Sequence, residues 1–257
     1  MKKYKKVVLK IGSALISGNS SSSSEMIKDL SSQISLLHHD TQFIIVTSGA
    51  ISQGMNILGI NIKPKDLESL QALAAIGQQQ LMGIYEKSFK NFDILTAQVL
   101  LTHDDMNDQS KYNNANATIE KLLNLNVIPI INENDVVATE EIKFGDNDKL
   151  AAMVSNLVEA DLMVILTNQS GFFDKNPDIY DDAKLIKKCN IQDVDINNFS
   201  SDEKSEYGTG GFKTKLQAIE MISSSGIDAI IASGYEKDVI EKIFSNEDIG
   251  TFFSSGE

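Results

Sequence analysis

Apolar, β-branched runs alternate along this chain with stretches of helical periodicity. Lys6–Ile11, Phe43–Thr47, Ile94–Leu101, Val127–Ile131, Leu162–Thr167 and Ala229–Ala232 read as strands. They lack a clean in-out alternation, which predicts strands buried on both faces. Between them, Glu25–Leu37, Leu67–Phe89, Asn113–Leu123, Asn147–Val158, Thr214–Ser223 and Lys237–Phe244 carry the amphipathic pattern of helices. Strand and helix taking turns predicts an α/β fold, a parallel sheet with helices on both faces.

Two stretches interrupt the pattern. Gly18 to Ser24 is serine-rich and reads as a loop inside a domain, with Ser22 and Glu25 as a capping box for the helix that follows. Gly171 to Gly211 is polar, acidic and turn-rich, which predicts hairpins or a mobile flap. His38 and His39 close a predicted helix and are expected at the surface.

Polar residues gather where strands end and helices begin. Asn132-Glu133-Asn134-Asp135 follows one strand, and Gly145-Asp146-Asn147-Asp148 opens one helix. Open α/β sheets place ligands at these ends. Carboxylates accept from an ammonium and amide NH₂ groups donate to a carboxylate, so the mixture suits an amino acid. Asp135, Asp146 and Asp148 are also candidate Mg²⁺ ligands, and turn chemistry alone is a third reading.

Three other segments invite an anion. Lys10 sits inside an apolar strand just before Gly12, a costly position unless its ammonium meets a negative group at the strand end. An edge strand with Lys10 in solvent is the competing reading. Ser48-Gly49-Ala50 closes a strand and opens a helix, as an anion site or a simple N-cap. Thr209, Gly210, Gly211, Phe212, Lys213, Thr214 and Lys215 form a glycine-rich, then basic, helix start that suits nucleotide phosphates. It is not a Walker A loop, because Phe212 stands where the second glycine belongs.

Composition narrows the function classes. A net charge of −13 over 257 residues argues against nucleic acid. The one basic concentration, Lys2, Lys3, Lys5 and Lys6, reads as the solvated start of an edge strand. All 23 basic residues are lysines. Anions must then be held by lysine point charges, backbone N–H groups and amides, with no guanidinium fork. Cys189 is the only cysteine, so no intrachain disulfide forms, as suits a reducing cytoplasm. No apolar run reaches membrane-spanning length, and the N-terminus lacks a signal-peptide core. His103, beside Asp104 and Asp105, makes no convincing triad or metal spacing.

Taken together, Val8-Leu9-Lys10-Ile11-Gly12-Ser13, Val46-Thr47-Ser48-Gly49-Ala50-Ile51, Ile130–Asp135, Gly145–Asp148, the stretch from Gly208 to Lys215 and Ala229–Gly234 resemble the amino acid kinase family. Within it they most resemble the branch that phosphorylates the γ-carboxylate of glutamate. The resemblance spans nearly the whole chain. It implies a three-layer αβα sandwich, with a glutamate lobe over about 1–160 and an ATP lobe over about 161–257 of a single domain. It implies ATP-dependent conversion of L-glutamate to L-glutamyl 5-phosphate, the first step of proline biosynthesis. It further implies Mg²⁺ carried mainly by the nucleotide phosphates, proline as feedback inhibitor, and a cytoplasmic homo-oligomer, dimer or tetramer.

By position, Lys10 and Lys215 match the lysines flanking the transferred phosphoryl group, and Asp148 the aspartate that organises both. Ser48, Asp135 and Asn147 match glutamate contacts, with Asn132 and Asp146 supporting. Thr167, Asn168 and Thr209 through Lys215 match the nucleotide site. Asn168 departs from the family's usual aspartate. The chain ends at Glu257, so the PUA domain of many members is not expected. The alternatives are a family member acting on another small acid or a nucleoside monophosphate, and a non-catalytic sensor on the same fold. An acetylated acid offers Asp135 no ammonium, and a nucleotide acceptor needs phosphate contacts that an arginine-free chain supplies less readily.

Overall fold

The computed structural model describes residues 4–17, 20–138, 147–175, 177, 179–194 and 212–255. Its strands are β1 (Lys6–Ile11), β2 (Gln42–Val46), β3 (Leu95–Leu101), β4 (Val127–Glu133), β5 (Leu162–Thr167), β6 (Lys188–Asn190), β7 (Asp228–Ser233) and β8 (Thr251–Ser254). They form one sheet in the order β3-β4-β2-β1-β5-β7-β8-β6. Neighbours are parallel except β7 and β8, which are antiparallel. The helices are α1 (Ser13–Ile16), α2 (Ser20–Leu37), α3 (Ala50–Leu58), α4 (Leu67–Lys90), α5 (His103–Asn107), α6 (Gln109–Asn124), α7 (Asn147–Leu157), α8 (Phe212–Ser223) and α9 (Val239–Phe244).

The sheet is buried on both faces, as its unalternating strands predict. Val8 of β1 packs with Leu150 of α7 and Leu216 of α8 on one side. Val7, Leu9 and Ile11 pack on the other with Ile27 of α2, Leu81 of α4 and Ile240 of α9. β1 thus supplies apolar side chains to the layers on both faces of the sheet. From β1 the chain winds outward through β2, then from β4 it crosses to the opposite side of β1 to form β5. This reversal opens a crevice at the carboxyl ends of β1 and β5. There Gly12 N–H donates to Leu166 O at 2.9 Å. A Cβ on Gly12 would sit only 2.9 Å from that same oxygen, so a side chain would force the strand ends apart.

Four expectations need correction. β1 is a central strand, not an edge, and Lys10 is buried in it; Lys5 is exposed at its start, as expected, but not on a sheet edge. A central strand tolerates that charged start because the Lys5 and Lys6 amides donate to Asp161 Oδ2 at 2.7 and 2.9 Å. The Lys6 ammonium reaches Glu120 at 2.7 Å. Lys2 and Lys3 lie outside the described residues. The serine-rich segment is helical from Ser20, so Ser22 and Glu25 fall inside α2 rather than capping it. Serine serves there for its size: buried Ser23 donates to Ile16 O at 2.6 Å and accepts from Gln53 at 3.1 Å. His38 is buried beside Asn126 O, and burial lowers its pKa; only His39 is exposed.

The irregular stretch begins as a hairpin, with Ile186 N–H donating to Phe172 O and Asp174 N–H to Lys184 O. Residues 195–211 lie outside the described set. Helices α3 and α4 meet backbone to backbone. A Cβ at Gly77 would overlap Ala50 O, and one at Gly54 would overlap Leu73 O.

Candidate active site

The crevice holds one buried carboxylate between two buried ammonium groups. Lys10 is the penultimate residue of β1, Asp148 lies in the first turn of α7, and Lys215 lies in the first turn of α8. Lys10 Nζ lies 2.5 Å from Asp148 Oδ1, and Lys215 Nζ lies 3.3 Å from Oδ2. Thr214 Oγ1 donates to the same Oδ2 at 2.9 Å. Burial works against the Asp148 anion, but Lys10, Lys215 and Thr214 outweigh it and hold the carboxyl well below its usual range. Lys10 and Lys215 thus bring two positive charges to this end of the crevice in a chain of net charge −13. Two ammonium groups held at one point suit an incoming anion such as a phosphoryl group.

A line of amides leads away from Asp148. Asn147 Nδ2 donates to Thr47 O at 2.7 Å, to Ser48 Oγ at 2.8 Å and to Asn132 Oδ1 at 3.1 Å. Asn132 Nδ2 in turn donates to Gln78 Oε1 at 2.7 Å. Thr47 is itself locked: its N–H donates to Ile131 O and its hydroxyl shares a 2.8 Å hydrogen bond with Tyr85. Gly49, with φ of +100°, turns the chain from Ser48 into α3. The structure thus unites Ser48, Asn132 and Asn147, from the ends of β2 and β4 and the start of α7. Gln78, on α4, completes the row and was not anticipated from the sequence. Nothing in its run of three glutamines distinguishes it; only the close α3–α4 packing beside Gly77 brings it to Asn132.

Asp135 follows β4 and lines a cleft of about 940 Å³ together with Gln78, Glu86, Glu133 and Asn134. Burial and the Glu133 charge push its pKa up to about 7, against the pull of Lys63. Glu133 is itself buried and lies 3.1 Å from His103 Nδ1. His103 thus supports the acidic wall of the cleft.

On the other side of the clamp, buried Thr167 ends β5 and its Oγ1 lies 3.2 Å from Asn168 Oδ1. Phe212 stacks on Phe172, centroids 5.2 Å apart, and so joins α8 to the hairpin. Lys213 is half-buried in the same turn as Thr214 and Lys215. Asp146, Thr209, Gly210 and Gly211 lie outside the described residues. Among the described residues no three His, Cys, Asp or Glu side chains group as metal ligands. No described helix is long and apolar enough to cross a membrane.

Residues 5–233 match the model of the amino acid kinase family. This chain belongs to the amino acid kinase family. It is 44% identical over 252 residues to glutamate 5-kinase of Marinomonas sp. (strain MWYL1), covering 97% of this chain and 67% of the relative. It is 46% identical over 250 residues to glutamate 5-kinase of Caldanaerobacter subterraneus subsp. tengcongensis, covering 96% and 67%. Among solved structures, UMP kinase from Ureaplasma parvum superposes with a TM-score of 0.64 at 16% identity, over 98% of this chain and 100% of that one. That likeness shows the amino acid kinase fold, the mostly parallel sheet described above.

Proposed function

We propose that this amino acid kinase transfers the γ-phosphoryl group of ATP to the γ-carboxylate of L-glutamate, giving L-glutamyl 5-phosphate. Identities of 42–46% to several glutamate 5-kinases, over nearly the whole chain, support that substrate. The observation that carries the mechanism is the Lys10–Asp148–Lys215 clamp. A carboxylate is already a nucleophile at neutral pH, so the reaction needs no general base. What it needs is alignment and neutralisation of charge spread over the transferred group. Two ammonium groups held by one carboxylate supply that without arginine, and Asp148 acts by orienting them.

In this reading Ser48, Asp135 and Asn147 hold glutamate, with Asn132 and Asp146 in support. The nucleotide lies toward Thr167, Asn168 and the 209–215 segment, across the clamp from the amide row. The oxygens of Asp148 are already engaged by lysines and Thr214, so Mg²⁺ arrives as part of the Mg-ATP substrate rather than on a protein ligand set. The role in proline biosynthesis, inhibition by proline and a dimeric or tetrameric assembly follow from the same reading.

One assay tests it: ADP release with Mg-ATP and glutamate, with hydroxylamine trapping of the acyl phosphate, with and without proline. Glutamate-dependent ADP release with hydroxamate formation is expected. Ligand binding without turnover would favour a sensor, and hydroxamate from another acid alone would reassign the substrate.

A further inference from the structure

The amide row has a direction that the backbone imposes. Thr47 O can only accept, so the group of Asn147 facing it at 2.7 Å is the NH₂. The atom of Asn132 facing that NH₂ is then its oxygen, so Asn132 turns its own NH₂ to Gln78. Gln78 must answer with Oε1. Reversing any one amide would set two donors or two acceptors against each other.

This order leaves two buried groups over. Asn147 is 8% exposed, and its Oδ1 accepts from nothing among the described residues. Gln78 Nε2 is enclosed and donates to nothing among the described residues, although Gln78 lines the cleft it shares with Asp135. Buried polar atoms without partners are uncommon and costly unless a ligand completes them. At one end, beside the clamp, a spare acceptor calls for a donor. At the other end a spare donor calls for an acceptor. Ser48 Oγ already accepts from Asn147, so its hydroxyl hydrogen is also available to an acceptor.

We propose that Gln78 is a substrate-binding and specificity-determining residue, whose Nε2 donates to the α-carboxylate of the amino acid while Asn147 Oδ1 accepts from its α-ammonium. This rests on the glutamate reading and deepens it. Through the relay, the backbone carbonyl of Thr47 delivers a donor at the α-position, and that donor bonds a charged carboxylate oxygen more strongly than the neutral carbonyl oxygen of a carboxamide. Selection against the α-amide follows from the lost charge on the acceptor, not from size, since amide and carboxylate have nearly the same shape.

The test compares L-glutamate with its α-amide, isoglutamine, as phosphoryl acceptors. Gln78→Glu keeps an oxygen for Asn132 to donate to but replaces the spare donor by a charged acceptor. Its KM for glutamate should rise by roughly 100-fold while KM for ATP stays put, the scale of losing a hydrogen bond to a charged group. Its preference for glutamate over isoglutamine should shrink or invert. Gln78→Met, of similar length and without donors, should raise KM for glutamate by roughly 10-fold with no gain on isoglutamine. Melting temperatures confirm that each variant is folded; if Gln78→Glu does not fold, the Gln78→Met KM ratio decides. An unchanged selectivity in a folded Gln78→Glu, or an unchanged glutamate KM in Gln78→Met, would overturn the proposal while leaving glutamate as substrate. No glutamate turnover by the unsubstituted chain would overturn the underlying reading, and this proposal with it.

Discussion

Lys10 and Asp148 form an ion pair at 2.5 Å with both side chains almost wholly excluded from water. Asp148 also holds Lys215, so removing either lysine leaves the carboxylate with a single charged partner. If the clamp stabilises the transferred phosphoryl group, Lys10→Ala and Lys215→Ala each lower kcat by roughly 10²–10³-fold. Steady-state rates at saturating Mg-ATP and glutamate measure this. Near-normal turnover in both variants would remove the clamp from the mechanism.

Asp148 should also matter for stability. Asp148→Ala removes the carboxylate that two buried ammonium groups share, and loss of one side of such a cluster costs about 3–5 kcal/mol. The folded pKa of Asp148 lies below its unfolded value of 3.8. Its stabilisation is therefore complete above that value and is lost as pH falls below it through the folded pKa. Urea unfolding of the two proteins should differ most at neutral pH and converge in strong acid. A difference that grows on acidification would contradict this sign.

Asp135 works the other way. Its folded pKa of about 7 lies above the ordinary 3.8, so the free protein bears a penalty that develops between those values and is full above pH 7. Asp135→Asn should stabilise the free protein at pH 8 by about 1–3 kcal/mol and not at pH 4. The same substitution should raise KM for glutamate, and the unsubstituted enzyme's KM should fall as pH rises through 7. Unfolding at the two pH values, together with a KM–pH profile, checks both halves.

Two glycines of α4 should respond in opposite directions to the same substitution. A methyl at Gly77 would collide with the backbone of α3, whereas one at Gly83 meets nothing within 4 Å. Gly77→Ala should destabilise by at least about 1–3 kcal/mol. Gly83→Ala should stabilise by about 0.5–1 kcal/mol through helix propensity. Thermal melts of the pair decide it, and equal effects would mean that the α3–α4 contact is looser than described.

The central strands were legible because each is apolar on two faces; Lys6–Ile11 and Leu162–Thr167 match their predicted bounds. The helix of serines was not. Ser20 to Ser24 have the composition of a loop, and only the neighbours Ile16 and Gln53 show why small hydroxyl side chains suit a packed helix. The candidate site was partly visible, since a lysine in an apolar strand and polar residues at strand ends violate local expectation. The pairing of Lys10 with Asp148 across 138 positions, and the approach of Gln78 to Asn132, are products of the crossover and of glycine contacts. No local pattern encodes them. His38 misled because a helix end can still be covered by a distant carbonyl, here that of Asn126.

The directional row from Thr47 to Gln78 also bears on how such a site can change over time. A single amide replaced by its reversed equivalent leaves a clash on both sides, so intermediate sequences pass through a defective site. Substrate preference at this end of the crevice should therefore drift through coordinated replacements of Asn147, Asn132 and Gln78. The clamp is constrained in another way, since both lysines share one carboxylate and loss of either is expected to lower kcat by roughly 10²–10³-fold.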